Sequence, residues 1–355
     1  MIRVLVVDDA VVIRRLLSEI IESDPELELA GIAQNGRIAL SRIEQLEPDV
    51  VTLDIEMPEL NGLETLVEIR KDRPRLPVIM FSTLTERGAS STLEALANGA
   101  SDYVTKPANV GSVSEAMDRV RAELVPKIKA LCSSRASVAA PVAAAAPAPR
   151  AKAVTGNVDI VAIGCSTGGP NALSDIVPAL PADLGVPVVI TQHMPPVFTR
   201  FLAERLDACS PLHVREAEDG VAIEPGEVVI AEGDHHLVLR RSGVRTLGTF
   251  GSGPPEHSCR PAVDVMFRSV GEVYGGNVLA VVLTGMGYDG MAGCEQLRGL
   301  GAQVVAQDRA SSVVWGMPGA VASAGLADAI VPLDQIVDEI TRRVRTSSRL
   351  ALRGA

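Results

Sequence analysis

Residues 133–157, SSRASVAAPVAAAAPAPRAKAVTGN, contain no Leu, Ile, Met or aromatic side chain and carry prolines at 141, 147 and 149. Alanine favours helix, but proline removes a backbone donor and clashes with the preceding turn. The stretch therefore reads as a flexible or partly extended connection with nothing to bury. It cuts the 355-residue chain into two segments that must each build a core, in keeping with the usual size of one hydrophobic core.

Ahead of the cut, short apolar runs alternate with amphipathic ones: IRVLVVDD, VVIRRLLSEIIES, LELAGIAQ, GRIALSRIEQL, PDVVTLDIEMP, GLETLVEIRK, PVIMFST, RGASSTLEALANG, ASDYVTKP and VSEAMDRVRAEL. Five such β/α units predict an N-terminal doubly wound, five-stranded parallel sheet. After the cut the alternation returns with longer loops, and strands are expected at VDIVAIG, VPVVITQ, EVVIAEG, HLVLRR, NVLAVVLTG and AQVVAQD. Only DH separates EVVIAEG from HLVLRR, so this pair reads as an antiparallel hairpin in an otherwise parallel α/β sheet. The expected division is a first domain at 1–125, a linker at 126–157, a doubly wound C-terminal domain at 158–346 and a tail at 347–355. A hydrophobic fraction of 47% with only 3% aromatics suits Val/Ile/Leu/Ala-rich parallel sheets.

The net charge of -11 excludes the basic footprint of a nucleic-acid binder. Cys132, Cys165, Cys209, Cys259 and Cys294 are scattered without a C-x-x-C pair, so no disulfide framework or zinc site is expected. The start MIRVLVVDDA lacks the pattern of a signal peptide, and no apolar run approaches the roughly 20 residues of a membrane span. A soluble, cytoplasmic protein with reduced thiols is expected.

The ends of the first five strands carry Asp8 and Asp9, Asp54, Ser82 and Lys106, where ligands of such sheets gather. Three close carboxylates repel unless a cation sits among them, and hard oxygen donors suit Mg²⁺. Such an ion would neutralise a phosphoryl group while Asp54 attacks it to form an acyl phosphate. Each Asp or Ser alone also fits a helix cap; the five residues together point to a site. On VDDA, LDIEMPELNG, FST and YVTKP, residues 1 to about 125 resemble the response-regulator receiver domain. That resemblance implies phosphorylation of Asp54, and Mg²⁺ held by Asp8, Asp9, Asp54 and the carbonyl of Glu56. It further implies Lys106 and Ser82 on the phosphoryl group, with Tyr103 at the aromatic switch position.

In the second half, VAIGCSTGGP (161–170) contains G-x-S-x-G, the pattern of a nucleophile turn. A glycine-rich strand-to-helix turn equally cradles phosphate, and the stretch alone leaves both open. No Walker lysine and no G-x-G-x-x-G accompany it, which argues against a nucleotide. A nucleophilic Ser166 needs a base and an orienting acid. VPVVITQHMPP ends in His193 and NVLAVVLTGMGYDG carries Asp289, so all three follow core strands. His193 would take the serine proton while Asp289 fixes the tautomer. Asp308, at another strand end, is the rival acid. His235 and His236 flank the expected hairpin turn and read as exposed; His213 and His257 lack a strand-end setting. Oxyanion donors are expected from the Thr167 side chain and the Met286 backbone N–H. Cys165 reads as a packing residue, and Trp315 and Met317 as groove-lining or core.

Together with the receiver and linker, GCSTGGP, TQHMPP, AEDG, RPAVDVMF, LTGMGYDG and VVWGMPGA resemble the chemotaxis family of protein-glutamate methylesterase/protein-glutamine glutaminase enzymes. The resemblance implies hydrolysis of γ-glutamyl methyl esters on chemoreceptors with release of methanol and, in many members, deamidation of receptor glutamines. It implies a chemotaxis histidine kinase as phosphodonor, a receiver that covers the catalytic face until Asp54 is phosphorylated, and no cofactor in the catalytic domain. The chain is expected to be monomeric and to meet the membrane only through its receptors. Cys259 stands where some members have histidine, a departure that bears on substrate contacts and leaves the three catalytic positions untouched. A phosphorylation-gated adaptor without catalysis is the alternative, and the intact set of Ser166, His193 and Asp289 argues against it.

Overall fold

The first sheet is built from Ile2–Val7 (β1), Leu27–Ala33 (β2), Val50–Asp54 (β3), Val78–Ser82 (β4) and Asp102–Thr105 (β5). The computed structural model describes residues 1–107, 113–138 and 156–353. The chain divides into two units, Met1–Pro141 and Val142–Ala355.

In the first unit the strands pair in parallel in the order β2-β1-β3-β4-β5. Every residue of β3 and β4 is buried, as runs such as VVTLD and VIMFS require of strands covered on both faces. The order reverses beside β1, so the crevice between the ends of β1 and β3 receives Asp8 and Asp54. The helix Gly62–Asp72 starts with a capping box, Asn61 and Glu64 bonding each other's backbone N–H. Gly62 is needed at its start because a Cβ there would lie 2.1 Å from the Asp54 carbonyl oxygen.

The last helix of this unit, Val113–Val138, runs beyond the boundary expected at residue 125. Its buried Val120, Leu124, Ile128 and Leu131 continue one apolar face at helical spacing, which keeps the first residues of the expected linker in the helix. Linker positions 139–155 lie outside the described residues. Likewise the helix Ile336–Arg353 runs through most of the segment expected as a tail.

The second unit contains Ile160–Cys165 (β6), Val188–Gln192 (β7), His213–Glu216 (β8), Val221–Ala222 (β9) and Glu227–Ile230 (β10). These are followed by His236–Ser242 (β11), Arg245–Gly251 (β12), Val278–Val282 (β13), Gln303–Gln307 (β14) and Ala329–Val331 (β15). Seven strands pair in parallel in the order β15-β14-β13-β6-β7-β10-β8. The expected hairpin is misplaced: β10 belongs to this parallel sheet, whereas β11 pairs antiparallel with β12 in a separate three-stranded sheet with β9. Gly243, at φ 59°, and Val244 make the two-residue turn between β11 and β12. The strand RTLGTFG escaped notice because two glycines break its apolar alternation.

The helix Val263–Tyr274 packs Val263, Met266, Phe267 and Val270 into the core at i, i+3, i+4 and i+7. The chain leaves β6 first toward β7 and later returns to β13 on its other side. The ends of β6 and β13 therefore flank the switch point at which such sheets bind ligands. Among the described residues, no helix is long and apolar enough to cross a membrane.

Candidate functional site

Parallel register carries two of the sequence-predicted residues to one level. Cys165 at the end of β6 pairs with Gln192 at the end of β7, and the His193 N–H donates to the Cys165 carbonyl at 3.1 Å. Ser166 and His193 are thus the first residues beyond adjacent strands. Gln192 ties them: its Nε2 donates to the carbonyls of Ser166 at 3.1 Å and His193 at 3.0 Å. The glycines after Ser166 serve this turn. Gly168 sits at φ 78°, and a Cβ on Gly169 would lie 1.9 Å from Gln192 Oε1. The Gly169 N–H bonds the Ser166 carbonyl at 2.7 Å, so that amide is engaged within the turn itself.

Asp289 arrives from beyond β13 and its Oδ2 lies 2.8 Å from His193 Nε2. It also lies at the start of the helix Val263–Tyr274, whose Ala262 N-cap offers no side-chain oxygen. The Asp289 carboxylate fills that role from outside, accepting N–H bonds from Val263 at 2.7 Å, Asp264 at 2.8 Å and Gly290 at 2.9 Å. Burial works against its charge, yet His193 and these amides hold it below the usual carboxylate range. Burial also opposes the His193 imidazolium, but Asp289, aided by the Cys259 sulfur, raises His193 to about 9. Neighbouring Asp264 moves the other way, pushed up by burial and by the Asp289 charge. Asp308, the rival acid, closes its own turn by accepting from the Ser311 N–H at 2.9 Å and hydroxyl at 2.7 Å.

Ser166 is half-buried, and among the described residues no hydrogen bond joins its Oγ to His193. Its N–H donates to the Thr284 carbonyl at 3.0 Å, which draws the serine against the loop after β13. That loop comes so near that a Cβ on Gly285 would lie 3.0 Å from Ser166 Cβ and 2.3 Å from Met317 Sδ. Thr167 is buried and Met286 half-buried, flanking the serine in sequence and across this loop. Met317 is core, while Trp315 is half-buried and donates to the Gln307 carbonyl at 3.2 Å.

One expectation for the histidines is corrected. His236 is buried rather than exposed, with Nδ1 accepting from the Ala262 N–H at 3.2 Å and Nε2 3.0 Å from the Pro254 carbonyl. It begins β11 and props the segment that leads into the helix beneath Asp289. His213 is exposed, in keeping with the surface role expected of it, and opens β8, an edge strand the sequence did not reveal. His235 is exposed as expected and stacks on Phe250. Residues that sequence reasoning missed are Gln192 and the amides of Val263 and Asp264. The signal for the amides was RPAVDV, a helix start with no capping side chain of its own. Cys259 Sγ, 3.4 Å from His193 Nδ1, was read only as a departure from the family pattern.

In the first unit, Lys106 Nζ bridges Asp8 Oδ2 at 2.9 Å and Asp54 Oδ1 at 2.8 Å. Burial and the Asp8 charge push Asp54 up to about 6, against the pull of Lys106 and the Glu56 N–H. The carboxylates of Asp8, Asp9 and Asp54 offer oxygens within 4.8 Å of one another. Asp54 Oδ2 is buried without a hydrogen-bond partner, so an oxygen-seeking divalent cation fits this set. The Glu56 side chain turns outward to Arg87 at 3.2 Å, which leaves its backbone as the group nearest the site. Ser82 donates to the Gly88 carbonyl at 3.1 Å. Tyr103 is buried, with Lys127 Nζ 5.1 Å from its ring centre.

Comparison with known proteins yields two family matches: CheB methylesterase over residues 161–340 and response regulator receiver domain over residues 4–118. A protein-glutamate methylesterase/protein-glutamine glutaminase of Trichodesmium erythraeum is 50% identical over 96% of this chain and 99% of its own. One from a Nocardioides species is 52% identical over 97% of this chain and 95% of its own. The crystal structure of the Thermotoga maritima CheB methylesterase catalytic domain matches with a TM-score of 0.51 and 42% identity, covering 52% of this chain and 98% of that one.

Proposed function

The chain belongs to the CheB methylesterase family and carries a response-regulator receiver domain ahead of the catalytic domain, and from that premise we propose that it hydrolyses γ-glutamyl methyl esters on chemoreceptors. Ser166 Oγ attacks the ester carbonyl carbon, and His193 accepts the hydroxyl proton on Nδ1, the nitrogen that Asp289 leaves free. The Thr167 side chain and the Met286 N–H stabilise the oxyanion. Collapse breaks the bond to methoxide, which leaves as methanol with the proton from His193. Water then opens the acyl-enzyme by the same proton route and frees the glutamate. Receptor glutamine amides enter the same cycle with ammonia as leaving group. The observation that carries this reading is the His193–Asp289 pair at 2.8 Å, held by helix amides one strand from Ser166.

In the receiver, Asp8, Asp9, Asp54 and the Glu56 carbonyl would hold Mg²⁺, which supplies charge neutralisation for the incoming phosphoryl group. Asp54 is the nucleophile, Lys106 and Ser82 take the phosphoryl oxygens, and Tyr103 reports the change through the fold. A chemotaxis histidine kinase donates the group, and the enzyme works in the cytoplasm as a monomer.

The test is methanol release from a methylated chemoreceptor fragment, with and without acetyl phosphate and Mg²⁺. Release that rises with the phosphodonor and falls by roughly 10⁵-fold or more in Ser166→Ala is expected. No release despite a phosphorylated Asp54 would overturn the reading in favour of a receptor-binding adaptor.

A further inference from the structure

The loop 256–261 reaches the catalytic centre without entering the reaction described above. Two consecutive non-glycine residues in it occupy the left-handed region, His257 at φ 52° and Ser258 at φ 62°. Such a conformation persists only where its surroundings over-determine it. Here two ion pairs and a histidine–carboxylate hydrogen bond do so. Arg268 grips both Glu256 oxygens at 2.8 and 2.5 Å, His257 Nε2 lies 2.9 Å from Asp264 Oδ2, and Arg260 meets Asp234 Oδ1 at 2.6 Å. Backbone bonds between Glu256 and Cys259, at 3.0 and 2.9 Å, close the turn.

What the pinned loop delivers is Cys259 Sγ, 3.4 Å from Nδ1 of the ring whose Nε2 is held by Asp289. Thiol, imidazole and carboxylate in line form the nucleophile, base and orienter arrangement, with sulfur alongside the serine. An imidazole that takes the thiol proton leaves thiolate beside imidazolium, the pairing that activates thiols. Cys165 and Cys294 are buried in apolar surroundings, and burial pushes both thiols up. Cys209 is exposed, and among the described residues its sulfur faces the carbonyls of Arg205 and Leu206, each at 3.4 Å.

We propose that Cys259 is a reactive thiol of the catalytic centre, oxidised by hydroperoxides and alkylated by soft electrophiles, and that its modification switches the esterase off by blocking His193. With hydrogen peroxide, the Cys259 proton passes to His193 Nδ1 and the sulfur attacks one peroxide oxygen. The O–O bond breaks, and the departing hydroxide takes the proton from His193 and leaves as water. Sulfur has then lost two electrons to the peroxide and stands as a sulfenic acid, which a dithiol reduces back. The added oxygen occupies the approach to Nδ1, the nitrogen that Ser166 must reach. The effect on hydrolysis rests on the Ser166–His193–Asp289 reading; the reactivity of the thiol does not.

The full chain is treated with iodoacetamide at neutral pH, and carboxamidomethylation of each cysteine is followed by peptide mass. A parallel series uses hydrogen peroxide with dimedone to trap the sulfenic acid. Cys259 is expected to react about tenfold or more faster than exposed Cys209. The advantage persists in Ser166→Ala and disappears in His193→Ala. Methanol release falls in step with Cys259 labelling, and the activity of Cys259→Ser, whatever its level, resists both reagents. Labelling of Cys259 no faster than Cys209, or full methanol release from completely labelled protein, overturns the proposal. Should the chain release no methanol at all, the labelling rates, which need no substrate, still decide the thiol's reactivity.

Discussion

Asp54, the last residue of β3, and Asp289, in the loop after β13, are both buried carboxylates, each paired with one cationic side chain at 2.8 Å. Their proton affinities nevertheless move in opposite directions. Asp54 faces a second carboxylate, Asp8, and its one backbone donor, the Glu56 N–H, stands 3.4 Å away; it is raised to about 6. Asp289 accepts three amides within 2.9 Å, and the upward shift falls on its neighbour Asp264 instead. One pocket thus leaves negative charge uncompensated, as suits a site that awaits a divalent cation and a phosphoryl group. The other compensates its carboxylate completely, as suits a fixed charge that orients an imidazole.

Of the two carboxylates, the larger effect should come from removing the fixed charge of Asp289. Asp289→Asn is expected to lower kcat for ester hydrolysis by about 10⁴-fold, because the wrong tautomer of His193 then faces Ser166. The same variant tests the electrostatics. The neutral imidazole is the active form, so wild-type kcat/KM should climb as pH rises through the His193 value of about 9. Without the carboxylate that holds the proton, that limb moves to lower pH; an unmoved limb would remove the charge pairing from the account.

A gentler change separates the helix from the carboxylate. Val263→Pro at the first helical position tolerates the missing N–H within the helix but deletes the 2.7 Å donor to Asp289. A hydrogen bond to a charged group is worth about 1.5–3 kcal/mol, so a loss of roughly ten- to a hundredfold in kcat/KM is expected. A thermal melt alongside separates this from lost packing of the valine.

The smallest effect concerns the receiver. In metal-free protein the Asp54 carboxyl should titrate near 6 by carbon-13 NMR, and Asp8→Asn should lower that midpoint by removing the like charge. Because the ionised form binds metal and attacks phosphorus, phosphorylation at limiting Mg²⁺ should fade as pH drops, and added Mg²⁺ should move that loss to lower pH. An Asp54 midpoint unchanged by Asp8→Asn would leave burial as the sole cause of its shift and remove the like-charge difference between Asp54 and Asp289.

Much of the plan was legible from local pattern. Asp8, Asp54, Lys106, Ser166 and His193 each follow a short apolar run, and a parallel β/α sheet brings such positions to one edge whatever their separation along the chain. The pairing of β10 and β11 was misread because the same apolar alternation serves a hairpin or two different sheets, and the partner strand β12 is disguised by its glycines. His236 was placed on the surface for the same reason, since its burial depends on Pro254 and Ala262 rather than on its neighbours in sequence.

From the sequence alone came the two-domain division, the parallel sheets and the candidate groups for the proposed chemistry, because burial periodicity and strand-end polarity are local properties. Tertiary structure alone decided which way each carboxylate shifts and which thiol meets His193. Amides from the helix Val263–Tyr274 and the sulfur of Cys259 act over a few ångströms of space, between residues tens of positions apart, and no local pattern encodes such a meeting.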